Sequence, residues 1–399
     1  MANERPVHVI GYARTPFGRF GGSLRSLSLP ELGAYAVSAA LRRSAIAPEQ
    51  VDEVAFGVNF PGGDRSIARQ VQLAAGIPDD KVSYSVDRAC CSSLAAANQA
   101  SRGLRLGETD VVVAGGVENL SRVPYFIEAA RFGKRLGDIV LTDQLVISCP
   151  YSGVPRAVQA ADEAAQYGIG RVEQDEWACR SQEAYADALA RGVFVDEVVP
   201  VSVIDADGHE VTLQADEPPR PGSSLEALGR LPTVNGSATV TAGNAPDLSS
   251  GATALVLASQ PIGEQHDGTA RLDGWSMASG DPQRIASMPA VAARLALKRV
   301  GLSLDDIDIF EINEAFAAVP LVSTLVLADR DATAARKLRA RTNVNGGAVA
   351  IGHPTGATGA RLVMTAVAEL RRRDGGTGLV SICGGIGEAE AVVVHVGPA

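Results

Sequence analysis

Five cysteines, Cys90, Cys91, Cys149, Cys179 and Cys383, are scattered over 399 residues, and the first of them stands where a thiol could attack. The stretch VDRACCSSLAAANQASRGL has a strand pattern that ends near Val86 and a small-residue helix pattern that starts at about Cys91 or Ser92. Cys90 is therefore expected at a helix N-terminus, where unpaired N–H groups and the helix dipole favour an anion, so its pKa should fall and a nucleophile result. The competing reading makes Cys90 and Cys91 small core residues, since free cysteine is among the most buried residue types. Adjacent cysteines lack zinc-ligand spacing and no second Cys/His pair accompanies them, so no metal is expected.

Three further segments carry reactive side chains. NVNGGAVAIGHPTGATGARLVMTAVAEL (343–370) is a glycine-dense turn entering a patterned helix, with His353 and Pro354 at the helix start. A histidine there can serve as a general base or donate to an oxyanion, although a lone histidine can also be structural. In LVSICGGIGEAEAVVV, Cys383 closes one strand and a Gly-Gly turn opens the next. In EINEAFAAVP (311–320), Asn313 and Glu314 follow a strand end at an expected helix start, where Asn313 is either a polar site residue or an N-cap.

The elements that must bring these together alternate in an α/β rhythm. Strand-like runs (Val7–Tyr12, Val51–Val58, Val82–Val86, Asp110–Ala114) alternate with helix-like runs (Glu31–Ser44, Ser66–Ala75, Ser92–Leu106), which predicts a largely parallel, buried sheet. VDEVAFGVN (51–59) echoes LDDIDIFEIN (304–313), and VVVAGGVE (111–118) echoes VSICGGIGE (380–388), so the chain reads as two copies of one unit. Between them the composition shifts to long helical patterns (Ala157–Tyr167, Val172–Arg191) and a Pro/Gly-rich connection from Glu217 to Pro232, as an insertion would. The expected division is residues 1–120 with 245–270 as the first half, 121–244 as the insertion and 271–399 as the second half. Strand ends of paired α/β units face one crevice, where cysteine, histidine, asparagine and a second cysteine can converge.

Composition narrows the function classes. With 36 basic and 46 acidic side chains the net charge is −10, which disfavours a general nucleic-acid surface while leaving room for a local basic pocket. The longest apolar stretches, such as Ala317 to Ala328, fall short of the roughly 20 residues that cross a bilayer. The start MANERPVHVI shows no signal-peptide pattern, and an odd cysteine count argues for a reducing compartment, so a cytoplasmic protein with no membrane partner is expected.

At this point the chain resembles the thiolase family from end to end, on ARTPFGRFGGSL (13–24), GGVENLS (115–121), NEAF (313–316) and NVNGGAVAIGHPTGATGAR (343–361). The resemblance implies a duplicated five-layered α/β/α/β/α fold with an inserted loop domain for CoA binding and oligomerisation. It implies a homodimer or homotetramer acting on acyl-CoA substrates, with no permanently bound cofactor and no metal. The activity implied is thiolytic cleavage of a 3-ketoacyl-CoA or the reverse Claisen condensation through an acyl-cysteine. Carried over residue by residue, Cys90 is the nucleophile, His353 its activator and Cys383 the base that takes the α-proton. Asn313 would hold a water that shares an oxyanion hole with His353, and the backbone N–H groups of Cys90 and Gly385 would form a second hole.

The sequence also departs from the family pattern. The usual N-x-x-C-G-S-G becomes Asp87, Cys90, Cys91, Ser92, Ser93, so two glycines have gained side chains that would narrow the acyl site or shift the loop. The usual C-x-G-G-G-x-G is two residues shorter, as Cys383-Gly384-Gly385-Ile386-Gly387. Counting back from the last glycine would put Ser381 at the base position. GLVSIC (378–383) aligns Cys383 instead; the two side chains share a strand face, and serine is far too weak a base. Pro155 and Arg156 replace a methionine–glycine pair, and Arg156 could hold a substrate carboxylate in a bidentate grip. AGNAPD (242–247) has Pro246 in place of a serine that approaches the pantetheine arm, and Arg220 and Arg230 are candidates for CoA phosphates. Cys149 and Cys179 are expected to pack structurally. Two alternatives stay open: a ketoacyl-synthase-like condensing enzyme, which needs no second thiol base, and a non-catalytic thiolase-like binder of CoA esters.

Overall fold

A computed structural model describes residues 5–398 apart from 129, 146–147, 205–207, 264–265 and 267–269. In its first half, β1 (Val7–Arg14), α1 (Leu29–Arg43), β2 (Glu53–Gly57), α2 (Ile67–Ala74), β3 (Val82–Val86), α3 (Ser92–Leu106) and β4 (Val111–Asn119) follow one another. After an insertion that carries α4 (Arg156–Gln166) and α5 (Arg171–Ala190), β5 (Ser249–Ser259) returns to the same sheet. The second half comprises β6 (Ala270–Ser279), α6 (Met288–Val300), β7 (Ile309–Ile312), α7 (Ala318–Leu327), α8 (Thr358–Arg372), β8 (Gly376–Cys383) and β9 (Glu388–Val396).

The two halves repeat one pairing scheme. In the first, β3 and β4 flank β2 in parallel, and β5 and β1 extend the sheet antiparallel, giving the order β3-β2-β4-β5-β1. In the second, β7 lies parallel to β8, with β9 and β6 antiparallel beyond it. A parallel bridge between Phe310 and Thr342 stands where β3 stands in the first half. The echoed segments seen in the sequence are thus equivalent strands, β2 with β7 and β4 with β8. Val7–Val9 pair with Ala270–Leu272, so the two half-sheets join edge to edge.

Burial explains why these strands carry so few polar residues. Every residue of β4 and β5 is buried, as expected of strands covered on both faces. A central core unites α3 residues such as Leu94 and Ala97 with α8 residues such as Leu362 and Val363. The α1 core lies outside the first half-sheet and the α6–α7 core outside the second. These are the five layers α/β/α/β/α.

Close packing between the halves needs glycine at particular points. A Cβ on Gly116, in the GGVE run, would lie 2.0 Å from the Gly356 carbonyl oxygen, so the end of β4 and the loop after His353 touch backbone to backbone. That contact brings the histidine loop of the second half over the strand ends of the first.

Candidate active site

Cys90 sits on a tight turn between β3 and α3. Ser92 Oγ accepts from the Arg88 N–H at 2.9 Å and donates to the Ala89 carbonyl at 2.6 Å. Ala89 is left-handed at φ +49° without being glycine, a strained conformation that persists where neighbours over-determine it. The helix begins at Ser92 with Cys91 as its N-cap, so Cys90 precedes the cap and points out of the turn, half-buried. The expected drop in its pKa is not found. Burial pushes the Cys90 thiol up to about 12, against Arg156, which lowers it, and with Glu118, which raises it. Desolvation outweighs the helix terminus, because stripping water from a thiolate costs more than one turn of dipoles returns.

His353 is buried and sits five residues ahead of α8, in the loop rather than at the helix start. Its Nδ1 lies 2.7 Å from Thr358 Oγ1, and that hydroxyl donates to the Pro354 carbonyl at 2.9 Å. Its Nε2 lies 3.4 Å from Asn313 Nδ2. Burial, with the nearby Arg361 charge, brings the imidazole down to about 3, so it is neutral at pH 7.

Asn313 is not an N-cap: the following helix starts at Ala318, and Ala317 occupies its cap position. The Asn313 backbone instead continues the sheet, its N–H donating to the Ser381 carbonyl at 3.0 Å. Its side chain is fully buried, and Oδ1 has no partner among the described residues. Two glutamates that the sequence reading quoted in motifs but gave no role hold this region together. Glu118 accepts from the Asn59, Phe60 and Gly356 N–H groups and from Thr355 Oγ1 at 2.6–3.2 Å. Glu314 accepts from Trp177 Nε1, Ser181 Oγ, Asn343 Nδ2 and the Val349 N–H at 2.8–2.9 Å. An acidic residue inside an otherwise apolar or glycine-rich motif was the signal available for both.

Cys383 ends β8 and is buried. Burial raises its thiol well above the usual range, and Cys90 acts on it in the same direction, so the two sulfurs lie within electrostatic reach of each other. Ser381 and Cys383 pair in unbroken register with Ala391 and Ala389, which keeps them on one face of β8. The shortened turn closes with the Gly384 N–H donating to the Glu388 carbonyl at 2.7 Å, and Gly385 takes φ +86°. Arg156 lies at the first turn of α4, donating from Nη1 to the Gly385 carbonyl and to Gln159 Oε1 at 2.9 Å. It acts on both Cys90 and Cys383.

The residues that replace glycines do not enter the site. Cys91 is fully buried and its thiol donates to the Ile382 carbonyl at 3.5 Å. Ser93 Oγ accepts from the Ala360 N–H at 3.0 Å, inside the first turn of α8. Their side chains therefore fill the contact between the halves. Arg220 donates to the Ala242 carbonyl at 2.7 Å and pairs with Asp247, beside Pro246. The Asp247 carbonyl in turn accepts from the His353 N–H at 3.2 Å. Arg230 pairs with Glu226 on the surface. Cys149 and Cys179 are buried, and hydrogen bonds from Ser152 help bring the Cys149 thiol down to about 7 despite its burial. Among the described residues no cluster of three or more His, Cys, Asp or Glu could hold a metal ion, and no helix is long and apolar enough to cross a membrane.

Comparison with known proteins decides the family. The family model described as "Thiolase, N-terminal domain" matches residues 7–261, and "Thiolase, C-terminal domain" matches 267–396. The chain belongs to the thiolase family. As a thiolase it is a CoA-dependent acyltransferase, catalysing thiolytic cleavage of a 3-ketoacyl-CoA or the reverse condensation, with CoA esters as substrates and no permanently bound cofactor. It is 40% identical to a beta-ketoadipyl-CoA thiolase of Pseudomonas knackmussii, over 98% of this chain and 99% of that one. It is 38% identical to the human mitochondrial 3-ketoacyl-CoA thiolase over 99% of each. The crystal structure of the Bacillus anthracis acetyl-CoA acetyltransferase superposes with a TM-score of 0.93 at 36% identity, covering 99% of this chain and 100% of that one. The human mitochondrial enzyme in complex with CoA superposes at 0.92 with 38% identity, over 99% of each chain.

Proposed function

We propose that Cys90 carries the acyl group and Cys383 moves the protons in this thiolase. The observation that supports this is that two thiols from opposite halves lie within electrostatic reach of each other, with a neutral His353 in the loop that packs on the strand ends of the first half. Thr358 keeps the proton on His353 Nδ1, so the Nε2 lone pair, which faces Asn313 Nδ2 at 3.4 Å, is the acceptor for the Cys90 proton. The Cys90 thiolate adds to the thioester carbonyl, with the resulting oxyanion held by the N–H groups of Cys90 and Gly385. CoA leaves as the thiol by taking the proton of Cys383, which becomes a thiolate.

A thiolate disfavoured by burial is a strong base, which suits it to the weakly acidic α-proton of acetyl-CoA. The enolate oxygen is received by protonated His353 Nε2 and by a water held on Asn313. The carbanion attacks acyl-Cys90 and releases the product, and the freed Cys90 thiolate recovers its proton from His353. Protons and charge close over the cycle. Cys90→Ala should abolish acyl-enzyme on incubation with an acyl-CoA, read by intact-protein mass spectrometry; a labelled Cys90→Ala protein would refute the assignment.

Arg156 is proposed to select the acyl chain. Its Nη1 is spent on Gly385 and Gln159, leaving Nε and Nη2 to grip a carboxylate, and relatives named beta-ketoadipyl-CoA thiolase act on such a chain by name. Turnover of 3-oxoadipyl-CoA relative to acetoacetyl-CoA should fall in Arg156→Ala, and an unchanged ratio would refute the role.

The remaining assignments are proposals of the same kind. Residues 121–244 serve as the loop domain for CoA binding and oligomerisation between halves 1–120 with 245–270 and 271–399. Arg220 and Arg230 meet the CoA phosphates, and Pro246 lines the pantetheine side. Homodimer or homotetramer formation is supported by Val82 on the edge strand at 62% exposed and by Phe132 and Leu136 at about nine-tenths exposed. Light scattering of the eluted protein tests that assembly. Five free cysteines favour the cytoplasm.

A further inference from the structure

A partly buried ion pair, with Glu390 at its buried end, links the two thiol-bearing segments. Arg88, two residues before Cys90, lies 3.0 Å from Glu390 and 3.3 Å from Glu388. Glu390 faces Ile382 directly across the β8–β9 hairpin, one residue from Cys383. The path from one sulfur to the other is thus Cys90, Ala89, Arg88, Glu390, Ile382, Cys383. Glu390 is 1% exposed, receives Asn98 Nδ2 from α3 at 3.4 Å, and keeps one carboxylate oxygen without a partner among the described residues. A buried carboxylate at Glu390, beside the run Ala391-Val392-Val393-Val394, is costly to desolvate, and such a pair is weak evidence for stability alone.

The surrounding contacts share this seam. The Cys91 thiol donates to the Ile382 carbonyl. A Cβ on Gly384 would lie 3.3 Å from both the Arg88 carbonyl oxygen and Cys91 Sγ. The strained Ala89 turn is held locally by Ser92 and by Asp87 Oδ1, which accepts from the Ala89 N–H at 3.0 Å, and is tied to the opposite half through Arg88 and this seam. Arg88 acts electrostatically on Cys91, whereas the cation acting on Cys90 is Arg156.

We propose that Arg88 and Glu390, with Glu388, are positioning residues that hold the Cys90 turn against the hairpin bearing Cys383 and so set the separation of the two sulfurs. The inference rests on the reading of Cys90 and Cys383 as acyl carrier and base. Acylation of Cys90 draws on Cys383 only for the proton of departing CoA, which solvent can also supply, whereas condensation has no other base for the α-proton and needs both sulfurs in register, so the two half-reactions should respond differently.

The test compares wild type, Glu390→Gln and the paired replacement Arg88→Met with Glu390→Met. Replacing both partners avoids stranding a buried charge, and Glu390→Gln keeps the shape should the double variant not fold. Acylation of Cys90 by acetyl-CoA should stay within about threefold of wild type, while kcat for acetoacetyl-CoA formation falls at least about tenfold with KM little changed. Equal losses in both half-reactions, or none in either, would overturn the proposal. Failure of the underlying reading looks different, because wild-type protein would then leave Cys90 unacylated whatever stands at 88 and 390.

Discussion

Thr358 Oγ1 stands 2.7 Å from His353 Nδ1 and donates its own hydrogen bond to the Pro354 carbonyl. A hydroxyl whose hydrogen is committed can only accept, so Nδ1 must be the protonated nitrogen and Nε2 carries the lone pair into the site. The tautomer required of a base for Cys90 is built into the α8 entry before any substrate arrives.

Thr358→Val should therefore lower kcat by roughly tenfold, the equivalent of about 1.4 kcal/mol for one hydrogen bond. Thr358→Ser should restore most of it. Steady-state rates with nitrogen-15 NMR of the imidazole check both the rate and the tautomer; an unchanged tautomer population in Thr358→Val would break the link.

The resting thiol and imidazole are both neutral, which sets a pH signature. The thiol is raised to about 12 and the imidazole lowered to about 3, so across pH 6–9 the thiolate fraction of free enzyme grows about tenfold per unit and reaches no plateau. Iodoacetamide labelling of Cys90 should climb with that slope. A flat rate between pH 5 and 8 would mean a preformed thiolate–imidazolium pair.

Glu118 gathers four donors from two loops, and each becomes an unpaired buried group in Glu118→Ala. Even with water replacing some of them, the loss should be about 2–4 kcal/mol, measured by urea unfolding. Activity should fall with it, because the loop holding Thr355 and Gly356 also holds His353.

The sequence made much of this legible, and the exceptions share a cause. The strands Val82–Val86 and helix Ser92–Leu106 follow from local alternation and small-residue periodicity, and His353 stands out inside its glycine run. The Cys90 pKa does not follow from the sequence because a helix terminus is a local feature, whereas desolvation depends on what the fold packs around the turn. The N-cap alternative for Asn313 arises because the next residues are good helix formers, yet its backbone stays bonded to Ser381. Arg88 and Glu390 are 302 positions apart in number but meet through the register that places Glu390 opposite Ile382, which no local pattern encodes. The two glutamates in GEAEAVVV were the one visible sign, being charges in a run otherwise fit for burial.

The most direct test of the paired-thiol account follows α-deuterium incorporation into acetyl-CoA in heavy water together with acetylation of Cys90 by mass spectrometry, in wild type, Cys383→Ala and Ser381→Ala. The account predicts that Cys383→Ala still acetylates Cys90, with departing CoA protonated by solvent, while deuterium incorporation falls by at least about a hundredfold, and that Ser381→Ala retains both. Undiminished incorporation in Cys383→Ala, with its loss in Ser381→Ala, would contradict it.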